Sequence, residues 1–210
     1  MNIIKLTLGE LAANCFIVEA PDKTAIVIDP GAEAEVIIAE LESRGLTLSK
    51  ILLTHGHFDH TAAAKALKDR YDPQVYISAQ DQELLPDREK SVAFFLPDFP
   101  YHPVEADVRI KDGDVISQGS MEIKVMATPG HTAGSVCFII EDCMFTGDTL
   151  FCRSVGRTDL YSGSPGQQAE SLKKLAALEK NYRLYCGHGE DTDLDTERKM
   201  NPFLSHITNY

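Results

Sequence analysis

Short apolar runs separated by turn-forming residues dominate the first quarter of the chain. Residues 3–8 (IIKLTL), 14–20 (NCFIVEA) and 24–30 (TAIVIDP) are rich in apolar, largely β-branched residues, which favours β-strands. Residues 33–44 (EAEVIIAELESR) instead repeat apolar side chains at helical spacing and precede a glycine, so they predict an α-helix. A further strand is predicted at residues 50–54 (KILLT).

Helices and strands alternate along the rest of the chain. Helices are predicted at residues 61–71, 79–85 and 166–180, the last preceded by Ser164 as N-cap and by a proline. Strands are predicted at residues 74–78, 107–110, 114–117, 121–128, 135–140, 143–147 and 182–186. The DGD and QGS turns beside these strands predict hairpins, and residues 86–106, which contain four prolines, predict a long irregular loop.

This order of elements predicts the fold class. Strands, helix, strand and helix occur in that order twice, which predicts an α/β (α+β) fold with two mixed β-sheets sandwiched between helices. With 210 residues, 43% hydrophobic and 25% charged, the composition is ordinary for a globular protein. A chain of this length buries about 70% of its unfolded surface, so we expect one domain over residues 1–210 that needs no metal to hold its fold.

Charge and cysteine content exclude several classes of function. Twenty basic against 32 acidic residues give a net charge of −12, which repels nucleic acid. No apolar run approaches the ~20 residues that span a bilayer, and the first residues lack the features of a secretory signal. The five cysteines, an odd number, fit free thiols in a reducing compartment. We therefore expect a cytoplasmic protein with no nucleic-acid or membrane partner.

The segment THGHFDH, residues 54–60, concentrates candidate metal ligands directly after a predicted strand. His55 and His57 are two residues apart, so in an extended loop both imidazoles point the same way and can bind one ion. Asp59 and His60 follow where the chain enters a helix and can face a second ion. Singly, Asp59 could cap that helix and each histidine could be a surface or packed residue, but the cluster favours a metal site. Zinc, iron and manganese all suit such ligands.

Three other candidate ligands each follow a predicted strand at a glycine-bearing turn: His131, Asp148 and His188. Each alone is weak, because a Gly-Asp pair is usually a turn and a histidine between glycines is often exposed. Together they bring the candidate ligands to seven, too many for one tetrahedral ion and suited to two ions that share a carboxylate. Asp148, the one carboxylate of the three, is the expected bridge.

These motifs carry a resemblance to a known family. The chain resembles the metallo-β-lactamase-fold hydrolases, and within them the short, single-domain, glyoxalase II-like bacterial branch. The segments that carry the resemblance are HGHFDH (55–60), TPGHTAGS (128–135), GDTLFCRSVGRTDL (147–160), CGHG (186–189) and ERKMNPFL (197–204). It implies an αββα sandwich with two divalent metal ions at one edge of the sheets, zinc in the first instance and iron or manganese as alternatives.

The resemblance also implies roles for single residues. The implied ligands of the first ion are His55, His57 and His131. Those of the second ion are Asp59, His60 and His188, and Asp148 is the implied bridging carboxylate. Asp29 matches a family position that supports a metal-binding histidine by a hydrogen bond. The alternative for Asp29 is a plain turn aspartate before Pro30 and Gly31.

Hydrolysis of a thioester, as in hydroxyacylglutathione hydrolases, is the activity that the resemblance implies. The expected nucleophile is a hydroxide that bridges the two metals, and Asp59 is the expected catalytic residue that orients it. The partner is then a small-molecule substrate, a glutathione ester or another thiol ester. Arg153 and Arg157 are candidates to bind a substrate carboxylate, although Arg157 could instead pair with Asp159 across a turn.

Two other functions stay open. Persulfide dioxygenases resemble the chain over the same motifs, including GRTD at residues 156–159, and use a single iron held by two histidines and an aspartate. That resemblance implies an iron-dependent oxidoreductase that takes up oxygen. A metal-binding protein without catalysis is the third hypothesis, and it predicts bound metal without turnover.

Overall fold

The described residues form two six-stranded β-sheets, and the strands of the first lie in chain order. In the computed structural model of the protein, which describes residues 1–97 and 101–204, these strands are β1 (Asn2–Leu8), β2 (Ala13–Glu19), β3 (Thr24–Ile28), β4 (Thr47–Leu52), β5 (Gln74–Ser78) and β6 (Val108–Ile110). The pairs β1/β2 and β2/β3 are antiparallel, whereas β3 to β6 are parallel. The sheet is therefore mixed, as predicted.

The second sheet also contains six strands, in the order β14-β13-β10-β9-β8-β7. Their bounds are β7 (Val115–Gln118), β8 (Met121–Ala127), β9 (Val136–Ile140), β10 (Cys143–Gly147), β13 (Arg183–Cys186) and β14 (Thr192–Asp193). Only β10 and β13 run parallel among these pairs. A small hairpin, β11 (Leu150–Phe151) with β12 (Ser154–Val155), lies between β10 and the next helix.

Among the described residues, five α-helices accompany the sheets: α1 (Ala34–Ser43), α2 (Phe58–Thr61), α3 (Ala64–Tyr71), α4 (Pro165–Ala176) and α5 (Leu194–Met200). Ser164 caps α4, since its Oγ accepts a hydrogen bond from the Gln167 N–H at 3.4 Å. No helix within the described ranges combines the length and the apolar character that crossing a bilayer requires.

The apolar core lies in three layers that fix the order helix, sheet, sheet, helix. Between the sheets, Phe16 of the first packs with Phe138 and Phe145 of the second. The layer outside the first sheet includes Leu41 of α1, and the layer outside the second includes Leu172 of α4. Because each sheet buries both faces, neither is stable alone. The predicted sandwich of two mixed sheets between helices is confirmed.

Two predictions about local elements were wrong. The DGD turn does not close a hairpin, because β6 pairs with β5 in the first sheet while β7 pairs with β8 in the second. Turn chemistry does not reveal whether the flanking strands pair, and here the turn links the two sheets. The helix predicted at 61–71 is split, since the Ala63 N–H donates to the Pro30 carbonyl instead of continuing one helix from α2.

Other boundaries differ in smaller ways. Helix α4 ends at Ala176, short of the predicted 180. The predicted loop 86–106 is irregular apart from a short 3₁₀ turn at Ala93–Phe95, and its residues 98–100 lie outside the described residues. All five cysteines are free thiols, four of them buried and Cys152 half-buried.

Candidate metal centre

The candidate ligands lie beyond the ends of strands at one edge of the sandwich. His55 and His57 follow β4, and Asp59 and His60 belong to α2, the four-residue helix that comes next. The other three follow β8, β10 and β13, in the order His131, Asp148 and His188. The order of the strands thus brings together residues as far apart in the chain as His55 and His188, which are 133 positions apart.

His55, His57 and His131 form a first group, all buried. The ring centroids of His57 and His131 are 4.6 Å apart, and that of His55 lies 4.8 Å from each. Nε2 of His131 is 2.9 Å from Nδ1 of His57. Three ring nitrogens turned towards one point form a donor set that suits a first-row divalent cation.

Asp59, His60 and His188 form a second group beside the first. Nε2 of His60 and Nε2 of His188 are 3.3 Å apart, and Oδ2 of Asp59 lies 3.3 Å from the same His188 atom. His60 is fully buried, whereas His188 retains 27% of its side-chain exposure. One carboxylate with two imidazoles is again a donor set for a divalent cation.

Asp148 lies between the two groups. Its Oδ2 is 3.5 Å from Nε2 of His131 in the first group, and its Oδ1 is 3.4 Å from Nε2 of His60 in the second. The following loop approaches closely, since a Cβ on Gly187 would lie only 2.3 Å from Oδ1 of Asp148. A glycine is therefore required there, and the geometry suits a carboxylate shared by two ions.

Several buried polar atoms of these groups lack a hydrogen-bond partner. Nε2 of His55, Nε2 of His57 and Oδ1 of Asp148 are buried and unpartnered. Buried polar atoms are normally paired, so unpartnered atoms within a cluster of ligand-type residues fit a site for a cation. Asp148 and two imidazoles of the first group thus keep buried ligand atoms that a cation could occupy.

The protonation of the histidines fits the same interpretation. Burial, followed by repulsion from neighbouring imidazoles, lowers the pKa of His55 and lowers that of His57 to about 3. Both rings are therefore neutral at physiological pH and keep a lone pair for a metal. Burial also opposes charge on His60, but Asp148, Asp59 and Asp29 outweigh it and raise the pKa of His60 to about 10. These carboxylates favour positive charge in the second group.

Asp29 supports the second group from behind. It is 2% exposed, and its Oδ2 lies 3.1 Å from Nδ1 of His60. The same carboxylate accepts hydrogen bonds from the Thr54 N–H at 2.8 Å and the Thr54 hydroxyl at 2.6 Å. Such a contact fixes which nitrogen of His60 faces the centre. Asp29 therefore joins His60 of the second group to Thr54, the residue that precedes His55.

Two buried polar residues beside the centre were missed by sequence reasoning. Asn14 on β2 contacts the loop of His188, and Asp81 contacts the loops of both His55 and His131. Asn14 lies inside an apolar strand pattern, and Asp81 reads as the start of a short helix. No local signal distinguishes either from a structural polar residue, because their partners lie far away in the sequence.

Comparison with known proteins identifies the family. The family model of the metallo-beta-lactamase superfamily matches residues 8–188 of the chain. The chain belongs to this superfamily. It is 32% identical over 217 residues to a Haemophilus influenzae protein named hydroxyacylglutathione hydrolase GloC, with 98% of this chain and 99% of that protein covered.

Two solved structures of superfamily members are especially similar. BLEG-1, a B3 metallo-beta-lactamase, gives a TM-score of 0.92 at 33% identity, with 97% of this chain and 100% of that chain covered. TTHA1623 in a di-iron-bound form gives 0.83 at 36% identity, with 96% and 100% covered. Membership and the histidine-aspartate cluster support divalent metal ions as cofactors. The relative solved with two irons keeps iron as a candidate beside zinc.

A cavity of about 530 Å³ adjoins the two groups of candidate ligands. Five of the candidate ligands line it: His57, Asp59, His131, Asp148 and His188. The other lining side chains are apolar except for Arg157. The volume lies within the range of small-molecule sites, so the centre is accessible to a substrate of that size.

The two predicted substrate arginines are placed differently. Arg157 lines the cavity, and its Nε and Nη2 atoms donate to Asp159 at 2.7 and 2.8 Å, so the predicted ion pair is present. The hydrogen bond from Arg157 lowers the pKa of Asp159 to about 2. Arg153 is exposed in the β11–β12 turn and is not among the described residues that line the cavity.

Proposed function

We propose that this chain is a metal-dependent hydrolase that cleaves thioesters of small molecules. The observation that carries the proposal is the position of Asp148 between two groups of ligand-type side chains at the wall of an accessible cavity. Similarity to a protein named hydroxyacylglutathione hydrolase supports the thioester as the bond that is cleaved.

The proposed roles follow from the two groups. His55, His57 and His131 would hold one ion, Asp59, His60 and His188 the other, and Asp148 both. When bound, the ions would supply Lewis-acid activation of water and of the substrate carbonyl. Asp59 belongs to the second group and also lines the cavity, so its carboxylate can orient the attacking water and accept its proton.

The test is a panel of thioesters, including S-lactoylglutathione, assayed on protein with quantified metal. Asp148→Ala is expected to lower kcat/KM by at least a hundredfold, because it removes the shared carboxylate. Asp142→Ala is the matched control, since Asp142 is exposed and precedes β10 where Asp148 follows it. Hydrolysis that persists in the Asp148 variant would contradict the shared site.

An iron-dependent oxidoreductase acting on a persulfide is the second candidate. The GRTD motif that the chain shares with persulfide dioxygenases supports it, and the relative solved in a di-iron-bound form is a protein of this fold that holds iron. Oxygen uptake on glutathione persulfide, together with metal analysis, separates the two candidates. Oxygen consumption by protein that holds a single iron, without thioester cleavage, would replace the hydrolase proposal.

A further inference from the structure

We propose that the cavity beside the metal centre selects its substrate by an apolar acyl group and not by an anionic thiol carrier. This inference rests on the proposed thioester hydrolysis and specifies its substrate class. The substrates are then thioesters with a medium-length aliphatic or an aromatic acyl group.

Apolar side chains form most of the cavity wall. They are Leu11, Phe58, Val92, Phe95, Leu96, Phe151 and Leu160. These residues come from separate parts of the chain that converge beside the ligands, so they enclose the space in which the reacting carbonyl must lie. A wall of this composition removes apolar ligand surface from water, which is the main source of affinity in such sites.

Part of this wall is a packed, preformed surface. Phe58 and Val92 are buried in a small cluster with Ala93, and Leu96 and Leu160 pack against it. A wall held by its own packing does not have to be ordered when substrate binds. The affinity gained from an apolar acyl group is therefore not offset by the entropy of ordering the wall.

Other parts of the wall expose apolar surface to water. Phe95 is 49% exposed and Leu11 is 44% exposed, although both belong to a chain of net charge −12. Large apolar side chains that are exposed to water in a cavity indicate a binding site for an apolar ligand. Contact with an acyl group would bury these surfaces.

The cavity offers little to an anionic carrier. Histidines aside, Arg157 is the one basic side chain among the described residues that line it, and both of its bonded nitrogens already contact Asp159. Lys90, which lies two positions before Val92 of the wall in the sequence, is paired with Glu83. Free carboxylates on the thiol part of a substrate would therefore meet no unpaired lysine or arginine among the described residues of the wall and would be repelled by the acidic chain.

The experiment compares thioesters of one neutral thiol, N-acetylcysteamine, with acetyl, butanoyl and hexanoyl groups. We expect kcat/KM to rise about two- to fourfold for each added methylene, since a fully buried methylene is worth about fourfold in binding. Hexanoylglutathione is expected to be no better a substrate than the hexanoyl ester of N-acetylcysteamine. A flat chain-length series, or a tenfold preference for the glutathione ester, would overturn the proposal.

Neighbouring phenylalanines supply a matched pair of variants. Phe94 and Phe95 are 48% and 49% exposed, and only Phe95 lines the cavity. Phe95→Ser is expected to reduce the dependence of kcat/KM on chain length, whereas Phe94→Ser is expected to keep it. Equal chain-length dependence in both variants would contradict the assignment of Phe95. Thermal unfolding of both variants checks that the fold is retained.

A binding measurement separates this inference from the proposed function. Amide analogues of the same acyl series, in which NH replaces the thioester sulfur, are titrated by calorimetry into metal-loaded protein. Affinity that rises with chain length supports the apolar site even where no thioester is cleaved, in which case only the proposed hydrolysis fails. Thioester cleavage with analogue affinities independent of chain length overturns this inference and leaves the hydrolase proposal standing.

Discussion

Asn14 holds the backbone on both sides of His188. Its side-chain Nδ2 donates to the carbonyl oxygens of Cys186 at 2.9 Å and Gly189 at 3.0 Å. Its backbone N–H donates to the carbonyl oxygen of Gly187 at 2.7 Å. The Oδ1 atom accepts a hydrogen bond from the Thr7 hydroxyl at 2.9 Å, so the buried amide is fully used. The loop that places His188 is thereby fixed to the first sheet, although it leaves the second.

We therefore predict that Asn14→Ala weakens the second metal position selectively. The substitution removes the side-chain donor from two carbonyls of the His188 loop, one of which keeps Lys5 Nζ as a donor, and it frees His188. The group of His55, His57 and His131 keeps its contacts. The metal-to-protein ratio, measured by elemental analysis after gel filtration, is expected to fall by about half. Retention of the wild-type ratio would show that Asn14 does not position His188.

Gln118→Ala is the control for the Asn14 variant. Gln118 is another buried amide, and its side chain contacts Ser49, Lys50 and Thr24, at the end of the first sheet away from the ligands. It is expected to lower the free energy of unfolding by a comparable 1–3 kcal/mol. The metal ratio is expected to stay unchanged, which separates loss of stability from loss of positioning.

Asp81 connects the loops of His55 and His131, two members of the first group. Asp81→Ala is predicted to disrupt the arrangement of this group. One carboxylate oxygen accepts the Gly134 N–H at 2.7 Å, and the other accepts the Gly56 N–H at 2.9 Å and the Thr132 hydroxyl at 2.7 Å. Removal leaves buried donors unpaired, so we expect a loss of about 3 kcal/mol in urea unfolding. Competition with a chromophoric chelator is expected to show weaker binding of the first metal.

A half-exposed aspartate provides the comparison for Asp81. Asp87 also accepts two backbone N–H groups, those of Glu89 and Lys90, but in a surface turn. Because water can replace these bonds, Asp87→Ala is expected to cost no more than about 1 kcal/mol and to leave metal affinity unchanged. Equal effects of the two substitutions would argue against a positioning role for Asp81.

The clustering of the candidate ligands could be predicted from sequence because its signal is local. His55, His57, Asp59 and His60 lie in one heptapeptide, and the others follow strands at glycine turns. Asn14 could not be predicted, since its partner Cys186 is 172 residues away and an asparagine in a strand has many structural uses. Residues that support a site from a distance become visible only when the sheets are assembled.

The pairing of strands was predictable only in part. The QGS turn closes a hairpin between β7 and β8, whereas the similar DGD turn crosses between sheets. Both sequences favour a tight turn, but the pairing depends on which strand covers each edge. The β11–β12 hairpin was not predicted, because its strands of two residues are too short for a periodic pattern.

Ser164→Ala tests the capping motif that sequence and structure share. The Ser164 hydroxyl accepts the Gln167 N–H at the start of α4, and its loss is expected to lower the free energy of unfolding by about 1 kcal/mol in urea titration. Ser43→Ala serves as the control, because the Ser43 hydroxyl donates to the exposed Glu40 carbonyl at the C-terminal end of another helix, α1. That change is expected to stay within about 0.5 kcal/mol.

Removal of metal is predicted to lower stability without unfolding the chain. The three apolar layers of the sandwich lie apart from the ligand cluster, so far-ultraviolet circular dichroism of chelator-treated protein is expected to match that of the metal-loaded form. Ligand that binds only the folded state stabilises it by about 2.7 kcal/mol at a hundredfold excess over Kd, which corresponds to a Tm lowered by roughly 5–10 °C after chelation. Loss of the sheet and helix signal on chelation would instead make the metals part of the fold, and would contradict the view that a chain of this length is held by its apolar core.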